Sequence, residues 1–206
     1  EMEWTPRITK AMEEQRMVLH YQPIVHNAEL ADLNSHYEIL IRMIDESGKL
    51  IPPGEFLPAA ERYNLIANID RWVISEYFRW LAEHPQQLNS LELGSINLSG
   101  NSLGNESCLH HIENQLREFS IPPEKICFEI TETEAIANLA KAQSFIRKLK
   151  DHGCNFALDD FGSGFSSYAY LKNLPVDFLK IDGMFVKDIN SDPENYAMVE
   201  SINHIG

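Results

Sequence analysis

At 206 residues, 44% hydrophobic, the chain has material for one domain with a sizeable core. Its net charge of −14, from 31 acidic against 17 basic residues, repels DNA, RNA and anionic membranes, so an anionic ligand would need cations placed locally. No apolar run approaches the roughly 20 residues of a membrane span, no signal peptide opens the sequence, and Cys108, Cys127 and Cys154 lack metal-ligand spacing, so buried free thiols in a cytoplasmic chain are the expectation.

Residues 1–16 read as a lead-in helix or linker and 17–206 as the domain proper. A first strand runs from Met17 to Val25 and ends around Pro23, which cannot donate to a ladder. Tyr37 to Met43 alternates, with Glu38, Leu40 and Arg42 on one face and Ile39, Ile41 and Met43 on the other. Helices follow at Glu55–Tyr63 and Asp70–Glu83, the second with an aromatic stripe from Trp72 to Trp80 that reads as core-facing. From Leu91 onward strands and helices alternate. Strands are predicted at Leu91–Leu98, Ile126–Thr131, Asn155–Leu158 and Phe178–Ile181, and helices at Ser102–Phe119, Thr133–Leu149, Ser166–Asn173 and from Pro193.

Strands two to six each end in an oxygen or nitrogen donor: Glu38, Asn97, Glu129, Asp159 with Asp160, and Lys180 with Asp182. One such residue carries no information, but the same end of five strands is the pattern of a β/α barrel with its site at the C-terminal mouth of the strands. Adjacent Asp side chains repel, so Asp159 and Asp160 at a buried strand end imply a cation. Carboxylate and amide donors suit magnesium, manganese or calcium better than zinc. Two readings stay open for Lys180, a structural ion pair or a group that orients or deprotonates water, and two for Glu38 with Arg42, an internal salt bridge or a metal ligand beside a phosphate clamp. Asp160-Phe161-Gly162 lacks the other kinase motifs, and Gly162-Ser163-Gly164 lacks the Lys-Ser or Lys-Thr of a phosphate loop, so the latter reads as a turn over the site.

Six segments, in order, resemble the EAL domain, a bacterial phosphodiesterase family acting on cyclic di-GMP. They are Tyr21-Gln22-Pro23-Ile24-Val25, Glu38-Ile39-Leu40-Ile41-Arg42, Ile96-Asn97-Leu98-Ser99, Glu129-Ile130-Thr131-Glu132, Asp159-Asp160-Phe161-Gly162-Ser163-Gly164 and Lys180-Ile181-Asp182. The resemblance implies an α/β fold, a TIM-like (β/α)8 barrel of EAL type whose first strand is antiparallel. It implies two Mg2+ or Mn2+ ions, with Glu38, Asn97, Glu129 and Asp159 as ligands and Asp160 bridging to the second. Lys180 would hold or activate the water with Asp182 beside it, Glu132 would anchor the loop from Phe161 to Ser167, and Gln22, Leu40 and Arg42 would contact the nucleotide. Cyclic di-GMP would be opened to linear pGpG. Fusion to GGDEF or sensor domains, a membrane anchor outside the chain and a homodimer are the implied context.

Three features depart from the family pattern. Ile39 replaces Ala and Phe165 replaces Tyr. The sequence begins at Glu1 without Met and ends at Gly206, which reads as a piece of a longer protein lacking the last two strands and the catalytic Glu that the family carries there. A cyclic di-GMP receptor without hydrolysis and a protein-interaction scaffold are therefore the rival readings.

Overall fold

The structure, a computed structural model, describes residues 4–25, 35–162 and 168–204. Helix α1 (Trp4–Glu13) leads into β1 (Met17–Pro23) and β2 (His36–Ile44), followed by the short β3 (Leu50–Ile51) and helices α2 (Pro53–Arg62), α3 (Ile66–Glu83) and α4 (Pro85–Ser90). Strands β4 (Leu93–Asn97), β5 (Ile126–Thr131), β6 (Asn155–Phe161) and β7 (Phe178–Ile181) then alternate with α5 (Glu106–Glu118), the pair α6 (Glu132–Ala137) and α7 (Leu139–Asp151), and finally α8 (Gly183–Val186) and α9 (Pro193–Asn203).

The strands form one sheet in the order β1-β2-β4-β5-β6-β7, with β3 added to β2. β1 runs antiparallel to β2, with Gln22 opposite Glu38 and Val18 opposite Arg42, whereas β2, β4, β5, β6 and β7 are mutually parallel. The sheet must be rolled. In a flat sheet β2 and β7 would stand four strand spacings apart, roughly 19 Å. Yet Lys180 on β7 reaches Glu38 on β2 at 3.0 Å, which only a barrel-like curl permits.

Parallel strands buried on both faces need two apolar layers, and both are present. Ile39, Ile41, Ile96, Phe128, Ile130, Phe156 and Leu158 point outward into the main core, against Ile74, Phe78, Ile112, Phe145 and Ile146 of the helices. Inward, Leu93, Cys127 and Ala157 form a small separate cluster. A rolled, parallel sheet with an antiparallel first strand, as expected, is therefore the observed architecture. Ile8 and Ala11 of α1 are buried in the same main core.

Several boundaries differ from the sequence reading. The expected helix 133–149 is broken at Asn138, whose φ of −146° and ψ of 65° are not helical. β6 continues past Leu158 through Phe161, with a register irregularity at that point. β2 also runs six residues beyond Glu38, so Glu38 is not a strand-end residue as predicted; antiparallel pairing with β1 sustains the ladder to Met43. The aromatic stripe divides: Tyr77 and Phe78 are buried, while Trp80 is exposed and stacks on His84 with centroids 4.6 Å apart. All three cysteines are buried free thiols, pushed up to about 11 for Cys108 and about 12 for Cys127 and Cys154 by burial.

Gly94 marks where α3 presses hardest on the sheet. A Cβ there would lie 2.0 Å from the Tyr77 hydroxyl oxygen, which donates to the Tyr37 hydroxyl at 3.0 Å. Gly94→Ala should therefore lower stability by about 1–3 kcal/mol, the usual penalty of overpacking, read as a shifted urea midpoint. Replacing Tyr77 by Phe in the same chain should restore part of the loss.

Candidate metal centre

Because side chains alternate along a strand, Glu38 on β2, Asn97 on β4, Glu129 on β5 and Asp159 on β6 all face inward. One carboxylate oxygen from each of Glu38, Glu129 and Asp159 can be chosen so that all lie within 4.8 Å of one another. At that separation like charges repel by on the order of 3 kcal/mol per pair at an effective dielectric of about 20. The Lys180 ammonium stands among them, 3.0 Å from Glu38 Oε2 and 3.2 Å from Asp159 Oδ2, and it also donates to Glu129. Asn97 closes the group by donating from Nδ2 to Glu38 Oε1 at 2.7 Å.

The electrostatics match this geometry. Burial pushes the Glu129 carboxyl above its usual range and the nearby Glu38 charge adds to the effect, against the opposing pull of Lys180. Burial by itself would lower Lys180, but the charges and hydrogen bonds of Glu129 and Glu38 outweigh it and raise the ammonium well above its ordinary value. One cation among three carboxylates leaves the cluster two charges negative. An all-oxygen donor set with surplus negative charge fits a hard divalent cation, with Glu38, Asn97, Glu129 and Asp159 as the residues able to hold it.

The remaining predicted residues fall into three groups. Asp160 lies beside the cluster in the left-handed region at φ 52°, where its N–H donates to Asp159 Oδ1 at 2.9 Å. Its carboxyl is raised by burial and by the charges of Asp159 and Asp182. Asp182 caps α8 by accepting from the Met184 amide at 2.8 Å. Glu132 is buried away from the cluster and accepts from the Gly162 amide at 3.0 Å and from the Tyr170 hydroxyl. It thus links Gly162 to Tyr170; residues 163–167 of the predicted loop, Phe165 among them, lie outside the described residues.

Gln22 is exposed on β1 opposite Glu38, and Leu40 and Arg42 continue the same face of β2. Arg42 donates to the Ile41 carbonyl at 2.8 Å, so the internal Glu38–Arg42 salt bridge held open by the sequence is not formed; Asn97 and Lys180 have taken the Glu38 oxygens.

Two acids that sequence reasoning passed over lie just behind the centre. Asp70 was placed at a helix start, where Asp is common, but α3 begins at Ile66 and the Asp70 carboxylate is 5% exposed. Glu134 completes a capping box with Thr131, a signature legible in the spacing Thr131-x-x-Glu134.

Two cavities lie on opposite faces of the sheet. One of about 520 Å³ opens on the inner face, lined by Ser95, Cys127, Glu129 and Lys180 among others. The other, about 550 Å³, lies on the outer face against α3, where Trp72, Tyr77 and Trp80 surround a single carboxylate, Glu76. Only the first adjoins the acid cluster.

Fold and site together define a β/α-barrel-like domain with a cluster of oxygen donors, able to hold a cation, on the inner face of its parallel strands. The family follows from comparison: residues 6–206 match the EAL domain model, and the chain belongs to that family. It is 44% identical over 202 residues to cyclic di-GMP phosphodiesterase PdeB of Shewanella oneidensis, covering 98% of this chain and 23% of that protein. It is 37% identical to cyclic di-GMP phosphodiesterase PdeF of Escherichia coli, covering 97% and 26%. The chain thus spans about a quarter of the length of these curated relatives. Among solved structures, the PaMucR phosphodiesterase in complex with c-di-GMP superposes with a TM-score of 0.87 at 31% identity, covering 97% of this chain and 80% of that one. The FimX EAL domain from Pseudomonas aeruginosa bound to c-di-GMP gives 0.86 at 32%, covering 98% and 79%.

If the carboxylates serve a cation, removing one should split stability from binding. Asp159→Asn relieves repulsion, so without added divalent ion it should melt at or above the parent temperature, while its Mn2+ affinity by calorimetry falls more than about tenfold. A variant that binds as tightly as the parent refutes the assignment.

Proposed function

We propose that the chain is the catalytic part of a cyclic di-GMP phosphodiesterase, hydrolysing one ester of the ring to give linear pGpG in bacterial second-messenger signalling. The observation that carries this is the convergence of Glu38, Glu129 and Asp159 from three strands around Lys180, on the inner face that also bears Leu40 and Arg42. The relatives named as cyclic di-GMP phosphodiesterases and the EAL domains solved with c-di-GMP support the substrate.

In this reading Glu38, Asn97, Glu129 and Asp159 would hold one Mg2+ or Mn2+, and Asp160 would help to hold a second. When bound, such a pair of ions supplies charge stabilisation to both the attacking and the leaving oxygen of an in-line displacement. The protein's own residues do the rest. Arg42 meets a phosphate, and Leu40 and Gln22 contact the nucleotide. Lys180, whose three N–H groups point to carboxylates, would turn one of them to the attacking water, with Asp182 two residues further along. The water oxygen forms its bond to phosphorus as the bond from phosphorus to the 3′ oxygen breaks, and in the net reaction one proton of that water ends on the departing 3′ oxygen. Glu132 steadies the segment from Phe161 to Ser167 through Gly162 and Tyr170.

Wider context belongs to the same proposal. Residues 17–206 form the EAL unit with α1 as its lead-in, joined to GGDEF or sensor domains, working in the cytoplasm as a homodimer. Among the described residues no helix is long and apolar enough to cross a membrane.

Incubation with cyclic di-GMP and Mg2+ or Mn2+, followed by chromatography, should yield pGpG, and a chelator should abolish the product until metal is restored. Arg42→Ala should raise KM by about 10- to 100-fold, the loss of a charge-assisted hydrogen bond. Calorimetric binding in Ca2+ without product in Mg2+ would instead mark a receptor, and neither signal a scaffold.

A further inference from the structure

The turn after Asn97 is gripped by acids that lie outside the cation cluster. Its first three amides go to three different elements. Leu98 N donates to the Glu129 carbonyl at 2.8 Å, Ser99 N to Asp70 Oδ2 at 3.1 Å, and Gly100 N to Glu134 Oε1 at 2.5 Å. The hydroxyls of Ser99 and Ser102 donate to the same Asp70 oxygen at 2.5 and 2.6 Å. The second oxygen of Glu134 accepts from the Thr131 amide at 3.3 Å and hydroxyl at 2.8 Å, linking the turn to the end of β5, two residues beyond Glu129.

A turn of this kind can be closed by neutral groups. Asp70 is 5% exposed, and among the described residues no Lys, Arg or His nitrogen lies within 4.0 Å of it. Burial pushes its carboxyl up against the hydrogen bonds of Ser102 and Ser99, and the Glu134 charge pushes the same way. An unpaired buried carboxylate costs several kcal/mol, far more than an amide or hydroxyl cap would. What the expense secures is rigidity immediately after Asn97, whose Nδ2 is committed to Glu38.

We infer that Asp70 and Glu134 are positioning residues of the metal centre, clamping residues 98–102 so that the Asn97 side chain is held between Glu38 and the cation. This rests on the metal-centre reading above. Neither residue belongs to the acid cluster, and both act through Asn97.

The test is Mn2+ calorimetry on the full chain, with hydrogen exchange of the 98–102 amides read in parallel. Asp70→Ala and Glu134→Ala should each weaken Mn2+ by about 10- to 100-fold and speed exchange of the turn. Asp70→Asn, which keeps one acceptor oxygen, should lose less. In an Asn97→Ala background Glu134→Ala should weaken binding no further, since two residues acting through one contact are not additive. Glu134 lies near the surface, so its variant stays informative even where Asp70→Ala does not fold. Parent-like Mn2+ affinity in Glu134→Ala, or losses that simply add to that of Asn97→Ala, overturns the inference. A parent that takes up no Mn2+ overturns the metal-centre reading, and this inference with it.

Discussion

One ammonium among three carboxylates sets the terms for this domain. Lys180 meets Glu38, Glu129 and Asp159, which come from strands on different parts of the sheet and would otherwise repel. For the four groups to meet at all, the sheet has to roll and each strand has to keep the register that turns its acid inward. The outer layer of Ile, Leu and Phe side chains, packed against the helices, supplies the free energy that holds that register. A slip of one residue in β5 would send Glu129 outward and Phe128 into the polar interior.

Around that centre the remaining acids serve as ties. Glu132 bridges Gly162 and Tyr170, Glu134 bridges Thr131 and Gly100, and Asp70 gathers Ser99 and Ser102. Each tie joins a loop to a neighbouring element at the edge of the site. The net charge of −14 is therefore not spread only over solvated faces; part of it is placed where backbone N–H groups need acceptors. An anionic ligand approaching such a surface would depend on local cations, and Arg42 and Lys180 lie on the inner face.

What could be read from the sequence divides along physical lines. Strand identity on β2 and β5 was legible because alternation or an unbroken apolar run is a local property, and the acids riding on those strands came with it. Ends were harder. Asp159-Asp160-Phe161 reads as a loop by composition, yet the ladder persists through it, because Asp160 takes a left-handed conformation that absorbs the irregularity. Asn138 interrupts a helix whose periodicity continues on both sides, so periodicity alone passes over it. The placement of Asp70 was illegible for a different reason: its partners, Ser99 and Ser102, are about thirty residues away and only the packed fold brings them near. The reversal of β1 came from resemblance and not from pattern, since alternation carries no direction.

The contact between Lys180 and Glu38 joins residues 142 positions apart. Closing so long a loop carries an entropic penalty that local helices and adjacent strand pairs avoid. A nascent or partly folded chain can thus possess most of its secondary structure while Glu38, Glu129, Asp159 and Lys180 are still scattered. Whatever those acids hold, they can hold it only once distant parts of the chain have met.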